Sequence, residues 1–153
     1  MYKHILFASD GSPASEQALN EAVKLARDGA ELKVLTVVVD PMATFAPPYG
    51  LAYDAGLVRN AAVESSRASL EKTLETLKSQ GVNITGDLLD LTEVASSNIA
   101  AAILDEAQNW PAELIVTGTH GRRGVRRFFL GSVAEELARS SPIPLLLVRG
   151  AES

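Results

Sequence analysis

The sequence predicts a single α/β domain over residues 1–153, with five strands in one open parallel sheet and helices on both faces. Three observations predict this class. Short apolar runs alternate with longer stretches of helical periodicity. Glycines and prolines separate the segments. The length of 153 residues suits one domain. Because alternating strands and helices are joined by right-handed crossovers, we expect a mostly parallel sheet.

The first strand, helix and second strand are each marked by local signals. Residues 5–8 form a short apolar run, which indicates a strand buried on both faces. Ser12 is expected to cap the first helix and Pro13 to occupy its first turn. Gly29 is expected to end that helix. Residues 32–39 are rich in β-branched side chains and predict strand two.

Residues 40–56 hold three prolines and two glycines and are expected to be irregular. A loop of this length is either functional or an unconstrained surface excursion. The alternation then continues, and it predicts helix 57–80 ended by Gly81, strand 82–89, helix 94–109 ended by Pro111, strand 114–117, helix 131–139 and strand 145–148.

The composition excludes several classes of function. The chain has no cysteine, so disulfides, thiolate metal sites and thiol catalysis are excluded. Its net charge of −5 argues against a generalist nucleic-acid-binding protein. No stretch approaches the roughly 20 apolar residues that span a bilayer, and the first apolar run is too short for a signal peptide. We therefore expect a cytoplasmic protein without nucleic-acid or membrane partners.

The residues that follow strand four predict a phosphate site. Ligands of doubly wound sheets bind beyond the carboxyl ends of the strands. Here Gly118 and Gly121 permit a close approach of the backbone, and Gly131-Ser132 opens a helix whose free N–H groups and dipole attract an anion. The alternative is that these glycines only follow a strand and precede a helix.

The pattern of Gly118, two residues, Gly121, nine residues and then Gly131-Ser132 resembles the ATP-binding branch of the universal stress proteins. The resemblance extends over nearly the whole chain, including residues 3–12, 29–32 and 142–149. Two departures are Glu113, where the family often has aspartate, and residues 90–97, which lack a common glycine-proline turn. These departures bear on the start of helix three and leave the phosphate site intact.

The resemblance implies a Rossmann-like sheet in the order 3-2-1-4-5 and a site for ATP, or for AMP or ADP, with Mg²⁺. It implies that Asp10 accepts from the ribose hydroxyls or, less directly, contacts the metal through water. It also implies that the main chain of Val38 binds the adenine edge, and that Thr117 and Val133 line the ribose and phosphate pocket. Capping of helix one remains an alternative for Asp10, and a plain core position remains one for Val38. A homodimer through the edge of strand five is implied as well.

The loop after strand four carries Arg122, Arg123, Arg126 and Arg127. Arg122 or Arg123 is a candidate to neutralise phosphates. A solvated loop and a nucleic-acid patch are the alternatives. We do not assign a catalytic role to His120, and Trp110 is expected to pack in the core.

The function that fits these residues best is a nucleotide-binding regulatory protein with little or no turnover. The chain has no G-x-x-x-x-G-K-[ST] motif. ATP pyrophosphatases carry a serine-glycine-glycine loop after strand one, where this chain has Ser9-Asp10-Gly11-Ser12. A phospho-acceptor domain would need further acidic residues and a lysine after strand five. A ligand-free dimeric interaction module and a slow ATP hydrolase remain open alternatives.

Overall fold

The computed structural model describes residues 1–12, 15–43, 52–119 and 131–150. Within them, strands and helices alternate along the chain. The strands are β1 (His4–Ser9), β2 (Glu31–Val39), β3 (Ile84–Leu91), β4 (Leu114–Gly118) and β5 (Leu145–Val148). The helices are α1 (Glu16–Ala26), α2 (Ala55–Ser79), α3 (Ile99–Asn109) and α4 (Ser132–Ser140).

The five strands form one parallel sheet in the order β3-β2-β1-β4-β5, which confirms the predicted fold class and strand order. The central strand β1 pairs with β2 from His4↔Glu31 to Ser9↔Thr36. On its other side β1 pairs with β4 up to Ala8↔Thr117. The strand order therefore reverses direction between β1 and β4, and the ends of these two strands are neighbours.

Two apolar layers cover the sheet, one on each face. Ile5 and Phe7 of β1 pack with α1 and α2, whereas Leu6 and Ala8 pack with α3 and α4. All four are almost completely buried. This alternation confirms that strand one is buried on both faces, because successive side chains of a strand point in opposite directions. Trp110 packs against the layer of α3 and α4, as expected.

Several predicted helix boundaries were wrong. Ser12 does not cap α1, which begins at Glu16 after Ser15; Pro13 lies outside the described residues. The loop was predicted to reach residue 56, yet α2 begins at Ala55. It begins there because the Asp54 side chain accepts a hydrogen bond from the Leu57 N–H at 3.1 Å and caps the first turn.

Strand three and helix three both begin later in the chain than the sequence predicts. β3 runs from Ile84 to Leu91, where the prediction was 82–89, because its ladder with β2 continues to Val39↔Leu91. The α3 helix begins at Ile99 and not near residue 94, since a short 3₁₀ helix at Ser96–Asn98 precedes it. Among the helices that the structure describes, none has the length and apolar character needed to cross a membrane.

Candidate functional site

The candidate site lies at the carboxyl ends of β1 and β4, where the strand order reverses. The chain leaves β1 for α1 on one face of the sheet and reaches α4 on the opposite face after β4. The last paired residues are Ala8 and Thr117. Asp10 and Thr119 each lie two residues beyond that pair on neighbouring strands. In doubly wound sheets, ligands bind in the crevice that forms at such a point.

The loop after β1 holds Asp10 in a defined position. One carboxylate oxygen of Asp10, Oδ1, accepts a hydrogen bond from the Ser12 N–H at 2.9 Å. The loop turns at Gly11, whose φ is 77°. The Gly11 N–H donates to Ser9 Oγ at 2.9 Å, and Ser9 Oγ lies 2.8 Å from Ser15 Oγ. The Asp10 carboxylate therefore stabilises the loop before α1 begins, and its second oxygen has no hydrogen-bond partner among the described residues.

The end of β4 is fixed to both of its neighbouring strands. Thr117 Oγ1 donates to the Ala8 carbonyl at 2.9 Å, which ties β4 to β1. Gly118 pairs with Val148 of β5. Thr119 is buried, and its N–H donates to the Val148 carbonyl at 3.0 Å. The Gly131 N–H donates to the Thr119 carbonyl. The two ends of the segment 120–130 are therefore held together at the crevice.

Six residues that the sequence analysis names fall within that segment. Outside the described residues lie His120, Gly121, Arg122, Arg123, Arg126 and Arg127. Their assignments stay predictions.

The N-terminus of α4 presents free main-chain donors. Gly131 is the N-cap residue, in an extended conformation, and it has no side chain with which to cap the helix. The first hydrogen bond within the helix is donated by the Glu135 N–H to the Gly131 carbonyl at 2.9 Å. The N–H groups of Ser132, Val133 and Ala134 precede that bond and have no partner among the described residues. Ser132 is exposed, whereas the Val133 side chain packs into the core. Val133 can therefore contribute its N–H, but not its side chain.

β2 extends beyond its pairing with β1 and leaves an open main-chain edge. The Glu31 N–H donates toward β1 and the Leu32 N–H toward Asn83 beside β3. Successive residues of a parallel strand alternate in this way. The main-chain N–H and carbonyl of the buried residue Val38, which is paired with Asp90, therefore point toward β3. The main-chain groups of Val37 and Val39 point toward the β1 side.

Among the described residues, the Val37 carbonyl and the Val39 N–H have no hydrogen-bond partner on this edge. Pairing of β2 with β1 ends at Ser9↔Thr36. The next donor along β1 would be the Gly11 N–H, but this group donates to Ser9 Oγ. Sequence reasoning missed Val37 and Val39, because only the register of β1 against β2 reveals which residues face the gap.

Charged side chains beside this edge were also missed. The Arg59 guanidinium on α2 lies 3.8 Å from an Asp40 carboxylate oxygen and 3.5 Å from one of Glu93. Arg59 thereby ties the start of α2 to the segments that follow β2 and β3. Hydrogen bonds from the Thr92 hydroxyl and N–H hold the pKa of Asp90 below its usual value. The signal in the sequence is an acidic residue after β2 and another after β3, together with an arginine about one turn into α2.

The arrangement suits an elongated ligand. Along the strand order, the open edge of β2, the Asp10 carboxylate and the N-terminus of α4 follow one another, with about 5 Å between neighbouring strands. A ligand could therefore meet a donor–acceptor edge at one end, a carboxylate in the middle and anion-attracting N–H groups at the other end. Within the described residues, no group of three or more His, Asp or Glu side chains could hold a metal ion by itself.

Comparison with known proteins agrees with the fold. The family model for the universal stress protein family matches residues 1–149. Universal stress protein YxiE of Bacillus subtilis is 32% identical over 154 residues, which cover 97% of this chain and 100% of that protein. The structure of the hypothetical protein MJ0577 superposes with a TM-score of 0.77 at 22% identity, over 100% of this chain and 99% of the other.

A universal stress protein in complex with cAMP is also similar in fold, with a TM-score of 0.57, 23% identity and 98% coverage of both chains. The family match extends over all five strands and all four helices that the structure describes. The chain belongs to the universal stress protein family.

Proposed function

We propose that this chain is a regulatory protein that binds an adenine nucleotide, ATP or its relatives AMP and ADP, in the crevice between the ends of β1 and β4. The observation that carries the proposal is the free N-terminus of α4, held at this crevice by the bond from Gly131 to Thr119. The universal stress protein that was crystallised with cAMP gives a nucleotide precedent on the same fold.

The phosphates would bind at the first turn of α4. The N–H groups of Ser132 and Val133, the Ser132 hydroxyl and the positive end of the helix dipole favour a phosphate there. Mg²⁺ would accompany a triphosphate and take most of its ligands from phosphate oxygens and water, since Mg²⁺ is commonly bound through one or two carboxylates plus phosphates. Asp10 would reach such a metal only through a water molecule, because one of its oxygens accepts from the Ser12 N–H and the other is available to the ribose.

The nucleoside would lie across the ends of β1 and β2. The unbonded oxygen of Asp10 can accept hydrogen bonds from ribose hydroxyls. The Val37 carbonyl can accept from the exocyclic amine of adenine, and the Val39 N–H can donate to the neighbouring ring nitrogen. Adenine needs an acceptor and a donor side by side. We therefore propose the adenine contact at Val37 and Val39, the two neighbours of Val38.

Binding without fast turnover follows from the chemistry available. The sequence contains no Walker lysine. A nucleotide that stays bound would act as a regulatory ligand. The expected location in the cytoplasm stays a prediction.

Isothermal titration calorimetry with Mg-ATP tests this proposal. The combined change of Gly131→Val and Ser132→Ala should weaken binding by at least about tenfold, because a branched side chain obstructs the cradle and a hydroxyl donor is lost. Val tolerates the extended backbone of residue 131, whose φ is −61° and ψ is 151°, so the fold should persist. Ser140→Ala, at the other end of α4, is the matched control. Equal ATP affinity in all three proteins would contradict the proposal.

We also propose a homodimer that forms through β5. This strand is at the edge of the sheet and is made of three leucines and a valine that are each partly exposed. The carbonyls of Pro144 and Val148 accept hydrogen bonds from the β4 side. Because the main-chain groups of successive residues point to alternate sides of a strand, those of Leu145 and Leu147 point away from β4. An exposed apolar edge invites pairing with a second copy. Sedimentation of a single monomeric species at micromolar concentration would contradict a dimer.

A further inference from the structure

A cavity of about 360 Å³ lies between α1 and α2, on the sheet face opposite α4. Its volume is within the range of about 300–1,000 Å³ typical of small-molecule sites. It reaches the surface at Ser65 and Ser69 of α2, which are exposed. Its walls extend down β2 as far as Val34, well below the open edge that we assign to the nucleotide.

Hydroxyl side chains dominate the wall of this cavity. They come from the loop after β1, from β2 and from one face of α2. Thr36 and Ser66 are 6% and 8% exposed, and both line the cavity. Ser12 Oγ is fully buried and lacks a hydrogen-bond partner among the described residues. Buried polar groups are normally satisfied, so the unpaired Ser12 hydroxyl, on a wall that carries further hydroxyls, points to a polar bound molecule.

Apart from the hydroxyls, the lining residues that the structure describes are mostly apolar, and one of them is charged. Phe7 and Leu70, both buried, form an apolar floor together with Val34. Glu16 is the one charged residue among the described lining residues. Because the described wall holds no cation beside it, the Glu16 carboxylate disfavours phosphates and other anions. It readily accepts hydrogen bonds from hydroxyl groups.

We propose that this cavity binds a neutral polyhydroxylated molecule of monosaccharide size. Such a molecule has C–H groups that pack on an apolar floor and hydroxyls that both donate and accept. Thr36, Ser66 and Ser12 supply partners of the same dual character, and Glu16 supplies an acceptor at the mouth. The site is separate from the proposed nucleotide crevice, although Ser9 and Ser12 lie on either side of Asp10 in the shared loop.

An NMR titration of the ¹⁵N-labelled full chain with D-glucose tests the proposal, with glycerol and inorganic phosphate as comparison probes. D-Glucose should bind with a dissociation constant in roughly the millimolar range and shift the amide signals around Thr36, Ser66 and Leu70. Glycerol should bind more weakly because it has no ring to pack on the floor. Phosphate should leave these signals unchanged because the lining residues that the structure describes offer it a carboxylate and no cation.

Three variants test whether glucose binds inside the cavity. Thr36→Val keeps the shape of the side chain and removes the hydroxyl, so glucose binding should weaken about fivefold while Mg-ATP binding is unchanged. Ser69→Phe, at an exposed helical position, should block the mouth without unfolding the protein. Ser79→Ala is the matched control, since this exposed serine bonds to the Thr76 carbonyl on the same helix outside the cavity.

Two outcomes would overturn the inference. If neither Thr36→Val nor Ser69→Phe changes the glucose-induced shifts, or if glucose causes none, the cavity holds only water. If saturating Mg-ATP abolishes glucose binding, the cavity is part of the nucleotide site. Loss of ATP binding in the Gly131 and Ser132 variants with glucose binding intact would support two separate sites.

Discussion

Replacement of Asp10 by asparagine is expected to weaken ATP binding by about tenfold. Oδ1 of Asp10 is engaged by the Ser12 N–H at 2.9 Å, so Oδ2 is the oxygen available to ribose. In the variant, the same N–H holds the amide oxygen in place of Oδ1. The amide nitrogen then replaces Oδ2 and presents a donor where an acceptor is needed. A hydrogen bond to a charged group contributes about 1.5–3 kcal/mol, and the half-buried position of Asp10 favours the lower value of about 1.5 kcal/mol.

Calorimetry with ATP measures this change directly, and Asp10→Ala provides the comparison. The asparagine variant keeps the hydrogen bond within the loop, so its free energy of unfolding should stay within about 0.5 kcal/mol of wild type. The alanine variant loses this bond as well and should also be less stable. If Asp10→Asn binds ATP as tightly as wild type, Asp10 does not contact the ligand, and its role is confined to the loop.

Three further predictions concern the helix, the acidic group and the sheet edge. Leu137→Ala removes a fully buried side chain of α4 and should lower the free energy of unfolding in urea by about 3 kcal/mol. Thr92→Val should raise the pKa of Asp90, measured by NMR titration. Because the folded pKa is lowered, Asp90 stabilises the fold above its unfolded pKa, and this contribution is lost as the pH falls through the folded pKa. The variant should therefore be less stable than wild type at neutral pH, and this difference should disappear as the pH falls through the folded pKa of Asp90. Leu147→Pro should convert the proposed dimer to monomer in sedimentation experiments, since it removes an outward N–H.

Each of these predictions has a result that contradicts it. A loss below about 1 kcal/mol for Leu137→Ala would mean that α4 is not anchored by this side chain. If the pKa of Asp90 is unchanged in Thr92→Val, the Thr92 hydroxyl does not cause the lowered pKa. A dimer that survives Leu147→Pro, with the circular dichroism spectrum unchanged, would exclude main-chain pairing at this edge.

The sequence predicted the fold class well because the core signals are local. The apolar run in strand one and the β-branched residues of strand two each identify a buried strand without knowledge of its neighbours. The strand order was implied by the family resemblance and confirmed by the sheet. The start of α1 was mispredicted because Ser12 resembles an N-cap, whereas its N–H donates to Asp10 in a separate turn.

The candidate site was only partly accessible to sequence reasoning. Gly131 and Ser132 were assigned from their pattern, and the structure brings them to the end of β4 through a hydrogen bond that spans residues 119 to 131. Val37 and Val39 could not be assigned, because their exposure to the crevice depends on where the β1–β2 ladder ends. Arg59 was missed since its acidic partners lie 19 and 34 residues away in the sequence.

The most direct test of nucleotide binding is to identify the molecule that the purified protein carries. The protein would be denatured, and any released small molecule would be separated by chromatography and identified by mass spectrometry. We predict release of ATP, ADP or AMP from the wild-type chain and none from the chain with both Gly131→Val and Ser132→Ala. Release of no nucleotide, together with no change in Tm on addition of Mg-ATP, would contradict nucleotide binding and favour a ligand-free interaction module.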